Sequence, residues 1–281
     1  MLNLTSPKVI QDLLARAGLS PRHALGQNFL IDRNILDIIV NAAELTREDH
    51  VLEVGPGLGT LTQELLANAG KVTAVEMDSG LCDILRERWG DEPRFTLRHG
   101  DALDIDHAAM TSEGVTCLVS NLPYAVGTRV VVDAALQPNP PSRIVVLLQK
   151  EVAERFAAQP RTPAISPLSI TLQQLYTVTL VKLVKPSCFW PPPEVTSAIV
   201  RLERHNHFPL TPPERQRLHD ITRLAFSQRR KQMATLFRHA PAPYTATPER
   251  LRALLADCGA SPTARAEELS LPQWLSLANA L

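Results

Sequence analysis

The chain has 281 residues, of which 44% are hydrophobic, and its formal net charge at pH 7 is zero. This length suits one large domain, alone or with a small second domain, and its core needs no disulfides. No apolar run reaches about 18 residues and no signal pattern opens the chain, so we expect no membrane span and a cytoplasmic location. We also expect a monomer. Free thiols without a metal site are expected, because no Cys-x-x-Cys pair occurs among Cys82, Cys117, Cys188 and Cys258.

Charge is unevenly distributed along the chain. Residues 205–281 carry ten Lys and Arg residues against six Asp and Glu residues, a net charge of +4, whereas residues 1–204 carry a net charge of −4. A basic C-terminal segment after an acidic one suggests that the C-terminal part faces phosphates. A solvated helix face explains the same excess nearly as well.

Two helices precede the first long strand. Ser6 is a suitable N-cap, Pro7 a suitable first residue and Gly18 a suitable stop, so residues 6–17 are predicted to be helical. Residues 21–30 are predicted to form a loop. Apolar residues at helical spacing then predict a second helix from Asp32 to Ala43.

The stretch that organises the chain is an apolar strand over residues 51–54, followed by Gly55, Gly57 and Gly59 and then a helix. Glycine is needed where the backbone takes a positive φ or approaches a ligand closely, so this turn predicts a bound group beside a helix N-terminus. Such turns serve NAD, FAD, nucleotides and S-adenosylmethionine alike, and some bind nothing.

A second strand, Lys71–Glu76, ends in a carboxylate roughly twenty residues after the first glycine, where it can hold both hydroxyls of a ribose. A helix over residues 79–89 and a strand over residues 94–99 follow. Asp101 comes directly after that strand, where it can accept a hydrogen bond from an adenine amine or simply cap a turn.

Strands over residues 116–120 and 143–149 follow, the second with a helix over residues 150–158, and this alternation predicts a parallel sheet with helices on both faces. Ligands of such sheets lie at the carboxyl ends of the strands. Four strand ends therefore point to one crevice, at Gly55, Glu76, Asp101 and Asn121.

The pattern changes after Pro160. A loop over residues 162–167 precedes a helix over 168–175, and strands over 178–184 and 196–202 are predicted to form an antiparallel pair that closes the sheet. The connection between them contains Phe189 and Trp190, which can stack on a base or pack on the sheet with equal weight.

The remainder is predicted to be a small all-α domain over residues 205–281, after a first domain over residues 1–204. Its helices are predicted over residues 213–226, 248–258 and 271–280. Between the first two lies the densest basic cluster of the chain, with Arg229, Arg230 and Lys231, which we expect to contact phosphates.

The most specific chemical motif is Asn121-Leu122-Pro123-Tyr124 at a strand end. An adenine amine is a poor nucleophile, because its lone pair is delocalised into the ring. The Asn121 side-chain oxygen and the Leu122 carbonyl can accept hydrogen bonds from that amine and favour a tetrahedral nitrogen, while Tyr124 offers an aromatic face to the base. The alternative is a proline turn with a structural asparagine.

With these residues the sequence resembles the small-subunit ribosomal RNA adenine dimethyltransferases. The motifs that carry the resemblance cover nearly the whole chain: residues 25–30, 53–62, 100–102, 121–124, 148–155, 189–202, 225–231 and 265–270.

The resemblance implies a Rossmann-like class I methyltransferase with a seven-stranded, mostly parallel sheet, plus a small all-α C-terminal domain. It implies S-adenosylmethionine-dependent dimethylation of two adjacent adenosines in the 3′-terminal hairpin of small-subunit rRNA, with the pre-30S particle as partner. The implied cofactor-binding residues are Asn28 and Leu30 through their backbones, Gly55, Glu76, Asp101 and Asn121. Asn121, Leu122 and Tyr124 are the implied catalytic residues, Tyr124 and Phe189 contact the base, and the helical tail contacts RNA.

The sequence departs from the family pattern at Arg22-His23-Ala24, Ala125, residues 165–167 and Glu194. Rival hypotheses are a large-subunit rRNA methyltransferase of the macrolide-resistance type and a non-catalytic ribosome-assembly factor. An NAD-dependent oxidoreductase has a comparable glycine turn but no use for the Asn121–Tyr124 motif.

Overall fold

We describe a computed structural model of the chain, which covers residues 3–22 and 26–281. The contacts divide the chain into two compact units. The first contains the described residues up to Ala153 together with Thr179–Arg204, and the second contains Glu154–Val178 and His205–Leu281. The second unit thus includes residues 154–178, which the predicted boundary at residue 204 had placed in the first domain.

A seven-stranded mixed sheet forms the centre of the first unit. Its strands are β2 His50–Val54, β3 Lys71–Glu76, β4 Phe95–His99, β5 Cys117–Asn121, β6 Arg143–Gln149, β7 Tyr176–Val184 and β9 Ser197–Arg204. They lie in the order β4-β3-β2-β5-β6-β9-β7. Strands β2 to β6 are parallel, and β9 runs antiparallel to β6 from Ser197↔Gln149 to Glu203↔Arg143. The predicted seven-stranded, mostly parallel sheet is therefore confirmed.

Helices alternate with these strands, as the sequence pattern predicts. Their bounds are α1 Pro7–Arg16, α2 Arg33–Ala43, α3 Thr60–Asn68, α4 Ser79–Trp89, α5 His107–Ser112, α6 Gly127–Ala135 and α7 Lys150–Phe156. Side-chain caps fix several of the starts: Asp32 accepts a hydrogen bond from the Ile35 N–H, and Asp78 accepts from the Gly80 and Leu81 N–H groups. Helices α5 and α6 were not predicted.

The predicted loop over residues 21–30 is partly wrong. Phe29–Leu30 form a short strand, β1, which pairs antiparallel with β8, Phe189–Trp190. Residues 23–25, which carry part of the predicted loop and of the resemblance, lie outside the described residues. The pairing matters for the site because it holds the chain just after Asn28 against another element.

The second unit is built mainly from helices: α8 Pro167–Leu175, α9 Pro212–Phe226, α10 Met233–Phe237, α11 Pro248–Asp257 and α12 Leu271–Ala280. Trp274 and Phe237 are fully buried at its centre. The predicted helices are confirmed, whereas α10 was not predicted. In the part of the chain that the structure describes, no helix is long and apolar enough to cross a membrane.

Candidate active site at the strand ends

The glycine turn has the geometry that its sequence predicts. All three glycines have positive φ, at 67° for Gly55, 60° for Gly57 and 83° for Gly59. At Gly59 a Cβ would lie 2.2 Å from the Trp89 ring, so no other residue fits without movement. The turn therefore leads the backbone of β2 directly into the N-terminus of α3.

One cavity lies over this turn, within the first unit. It is lined by every residue predicted to bind the cofactor or the target amine: Asn28, Leu30, Gly55, Glu76, Asp101, Asn121, Leu122 and Tyr124. The structure thus brings together strand ends that are separated by up to about ninety residues in the sequence, as expected for a sheet of this type.

Glu76 is a buried carboxylate at the end of β3, with 7% of its surface exposed. Its Oε2 accepts the Gly57 N–H at 3.1 Å and its Oε1 accepts the Asp78 N–H at 2.9 Å. Burial raises the pKa of Glu76, and the two backbone donors oppose that shift. Because a carboxylate has about four acceptor positions, both oxygens retain room for hydroxyl donors.

Asp101 caps a turn and also lines the cavity. Its Oδ1 accepts the Leu103 N–H at 2.8 Å and so caps a short 3₁₀ turn, Ala102–Asp104, while the residue also lines the cavity. The cap uses only Oδ1. The second carboxylate oxygen has no donor among the described residues.

The Asn121 carboxamide is held in one orientation at the end of β5. Its Nδ2 donates to the Asn28 carbonyl at 3.2 Å, which leaves Oδ1 as an acceptor without a donor among the described residues. The Leu122 N–H donates to the Leu147 carbonyl at 3.0 Å, and the Leu122 carbonyl likewise has no donor in the described part of the chain. The site therefore contains two neighbouring acceptors with open hydrogen-bonding capacity.

Tyr124 is fixed by Ser197, a residue that the sequence patterns did not single out. The Tyr124 hydroxyl hydrogen-bonds the Ser197 Oγ, which is fully buried at the start of β9. Burial raises the pKa of Tyr124, so the phenol is neutral at physiological pH. Ser197 lies within the Phe189–Leu202 motif, which was the available signal. The motif alone does not predict that Ser197 pairs with Tyr124.

Glu53 is a second buried acid in the cavity wall, and no role was predicted for it. Its Oε2 accepts a hydrogen bond from the Thr62 hydroxyl at 2.6 Å, and burial raises its pKa to about 8. The residue is therefore neutral at pH 7. An isolated acid in an otherwise apolar strand was the available signal.

The prediction that Phe189 contacts the base needs correction. Phe189 is 2% exposed, pairs with Leu30 across β1 and β8, and packs in the core of the first unit rather than in the cavity wall. Its burial favours the alternative that it packs on the sheet. Trp190, the neighbouring residue, stacks on Phe29 with ring centroids 6.5 Å apart.

Among the three predicted phosphate-binding residues, Arg229 has a different environment from the others. Its Nη2 donates to the carbonyls of Pro163 at 3.0 Å and Ile165 at 2.6 Å, so its guanidinium holds a loop within the second unit. These contacts do not support phosphate binding by Arg229. Arg230 and Lys231 are exposed, and their side chains have no partner among the described residues.

A mostly parallel sheet with a glycine turn after its first long strand and acidic residues at the next two strand ends is the arrangement of a Rossmann-like fold, and the similar solved structures described below are methyltransferases of this fold. The family model for ribosomal RNA adenine dimethylases matches residues 18–281. The chain therefore belongs to the ribosomal RNA adenine dimethylase family, and it is an rRNA adenine dimethyltransferase.

The similarity to curated relatives extends over almost the entire chain. The ribosomal RNA small subunit methyltransferase A of Clostridium perfringens is 38% identical over 259 residues, which cover 92% of this chain and 90% of the relative. The protein of the same name from Geobacillus thermodenitrificans is 35% identical and covers 99% of this chain and 97% of its own.

Two solved structures are similar in fold. A dimethyladenosine transferase from Plasmodium falciparum has a TM-score of 0.76 and 26% identity, and the match covers 88% of this chain and 95% of the other. The 23S rRNA methyltransferase ErmE has a TM-score of 0.71 and 29% identity, with coverage of 90% and 98%.

Proposed function

We propose that the protein transfers methyl groups from S-adenosylmethionine to N6 of two adjacent adenosines in the 3′-terminal hairpin of small-subunit rRNA, until both are dimethylated. The family membership supports the reaction class, and the small-subunit names of the curated relatives support the choice of rRNA. The observation that carries the proposal is the fixed Asn121 carboxamide beside the Leu122 carbonyl, at the end of β5.

The cavity residues suit S-adenosylmethionine. Glu76 offers carboxylate oxygens to the ribose hydroxyls, Asp101 keeps one carboxylate oxygen open for an adenine amine, and the turn at Gly55 exposes bare backbone. Asn28 and Leu30 also line the cavity. When bound, the cofactor supplies an electrophilic methyl group on a sulfonium.

Asn121 and Leu122 act on the target amine as acceptors. In the first transfer the Asn121 Oδ1 and the Leu122 carbonyl oxygen each accept one N–H of the adenine amine, which draws the nitrogen lone pair out of the ring and directs it into the cavity. The nitrogen loses one proton after attack, so a single N–H remains for one of the two acceptors in the second transfer. The bond from Asn121 Nδ2 to the Asn28 carbonyl orients the carboxamide, so that Oδ1 is available to the amine as an acceptor. Catalysis then rests on positioning and fixed dipoles rather than on a strong base.

Tyr124 holds the base by its ring face. The hydrogen bond to Ser197 restricts rotation of the phenol, so its ring is already placed before a base enters.

The second unit supplies basic surface for RNA. Residues 205–281 carry a net charge of +4, and Arg230 and Lys231 extend from the turn after α9 with their charged groups free for phosphates. The partner in this proposal is small-subunit rRNA within a pre-30S particle in the cytoplasm, and the enzyme acts as a monomer.

The competing proposal is methylation of large-subunit rRNA, favoured by the similarity to ErmE. A non-catalytic assembly role is disfavoured because Glu76, Asp101 and Asn121 all face one cavity. Labelled S-adenosylmethionine offered in parallel to undermethylated small subunits, naked small-subunit rRNA and large-subunit rRNA separates these proposals. We expect label in two adjacent adenosines of the small-subunit 3′ hairpin; label confined to large-subunit rRNA, or none, would contradict the proposal.

A further inference from the structure

The segment that carries Asn28 is held in place by a side-chain amide with no assigned role. Gln27 Nε2 donates to Asp78 Oδ2 at 3.1 Å, and Gln27 Oε1 accepts the backbone N–H of Arg22 at 2.8 Å. Both ends of the amide are therefore used, which fixes its orientation. The next residue, Asn28, accepts the hydrogen bond from Asn121 Nδ2.

Asp78 links the same segment to the other side of the cavity. Its backbone N–H donates to Glu76 Oε1 at 2.9 Å, and its Oδ1 accepts the Gly80 N–H at 3.0 Å at the start of α4. The side chain is almost fully buried, and the Arg22 guanidinium lies 3.4 Å from Oδ2. Asp78 thus contacts the segment before Asn28 and the N-terminus of α4 through its carboxylate, and Glu76 through its backbone N–H.

We propose that Gln27 and Asp78 are positioning residues that set the Asn121 carboxamide relative to Glu76, through the backbone of Asn28. This inference rests on the proposed function, in which Glu76 holds the methyl donor and Asn121 holds the target amine. Without the bond between Gln27 and Asp78, the chain around Asn28 is held on its C-terminal side only, by the β1–β8 pairing. The Asn28 carbonyl is then less precisely placed as the partner that keeps the Asn121 oxygen facing the amine.

The chemistry of the pair explains why an amide serves here. A neutral donor satisfies Asp78 Oδ2 without adding a second full charge beside Glu76, and its oxygen satisfies the Arg22 N–H at the same time. A carboxylate at position 27 keeps the second bond but replaces the first with repulsion between like charges. The donor and the acceptor can therefore be exchanged between positions 27 and 78 without removing either side chain.

The test is a rescue experiment. Gln27→Glu should lower kcat for methyl transfer to undermethylated small subunits by at least about tenfold, since small displacements of catalytic groups are costly. Adding Asp78→Asn should restore kcat to within about threefold of wild type, because the asparagine donates to the new carboxylate and still caps α4. Gln27→Ala, which introduces no charge, should lower kcat without rescue by Asp78→Asn.

Gln63→Glu is the matched control, because Gln63 also lies beside a carboxylate, Glu64, but outside the cavity. The kcat of this variant should equal that of the wild type. Thermal unfolding of each variant separates a lost fold from a lost position. An unchanged kcat in Gln27→Glu, or an impaired one that Asp78→Asn does not restore, overturns the inference. Failure of the wild-type enzyme on every rRNA substrate instead overturns the proposed function, so the two failures are distinguishable.

Discussion

Glu53 makes the stability of the first unit depend on pH in a predictable way. Its carboxyl group is 2% exposed, accepts one hydrogen bond from Thr62, and has its pKa raised to about 8 by burial, with the Glu76 charge adding to the shift. In the unfolded chain the pKa returns to about 4.5. Between these values the folded state holds a proton that the unfolded state has released, so rising pH favours unfolding.

The magnitude follows from the linkage relation. Inside this window one retained proton lowers the free energy of unfolding by about 1.4 kcal/mol per pH unit. From pH 5.5 to 7.5 the Glu53 contribution therefore falls by roughly 2 to 3 kcal/mol. Below pH 4.5 the contribution is fully present, and above pH 8 it is lost.

Glu53→Gln preserves the shape and removes the proton equilibrium. Urea unfolding is measured for the wild type and the variant without cofactor. Between pH 5.5 and 7.5 the free energy of unfolding of the wild type should fall relative to that of the variant by roughly 2 to 3 kcal/mol. Glu48→Gln, at an exposed site, should follow the wild type. A difference between Glu53→Gln and wild type that stays constant across this range would refute the reasoning.

Three further predictions test other parts of the structure. Glu76→Ala should weaken S-adenosylmethionine binding by about 10- to 100-fold in calorimetry, because it removes charge-assisted bonds to the ribose; an unchanged Kd would contradict this role. Replacing Arg230 and Lys231 with alanine should flatten the salt dependence of RNA binding by about 1.5 in the log–log slope, and an unaltered slope would remove both from the interface. Gly59→Ala should destabilise the fold by about 2–4 kcal/mol in urea unfolding, because a Cβ meets the Trp89 ring; a change under about 0.5 kcal/mol would show that the ring yields freely.

The sequence predicts the parallel sheet and the crevice because both depend on local signals. Periodicity locates each strand, and the polar residue after it lies at the sheet edge by topology alone, as for Glu76, Asp101 and Asn121. The helix starts at Arg33 and Ser79 follow side-chain caps by Asp32 and Asp78, and the start at Pro7 follows the preference of proline for the first helical position.

What the sequence could not predict depends on contacts between distant residues. The two-residue strands Phe29–Leu30 and Phe189–Trp190 are too short for a periodic signal, yet their pairing buries Phe189. Basic composition suggests phosphate binding equally for Arg229 and Arg230. Only the tertiary structure shows that the Arg229 guanidinium donates to the loop that contains Pro163. The partners of Asn121 and Tyr124 are likewise set by chain segments far away in sequence.

The central claim, that the Asn121 side-chain oxygen accepts from the target amine, is tested most directly by single-turnover methyl transfer. Asn121→Ala should lower the rate on undermethylated small subunits by roughly 100- to 1,000-fold at saturating S-adenosylmethionine, as removal of one fixed dipole does elsewhere. Its Kd for the cofactor should stay within a few-fold of wild type, and Asn68→Ala, at an exposed helix end, should change neither quantity. Methyl transfer by Asn121→Ala at a rate within about threefold of wild type would contradict the account.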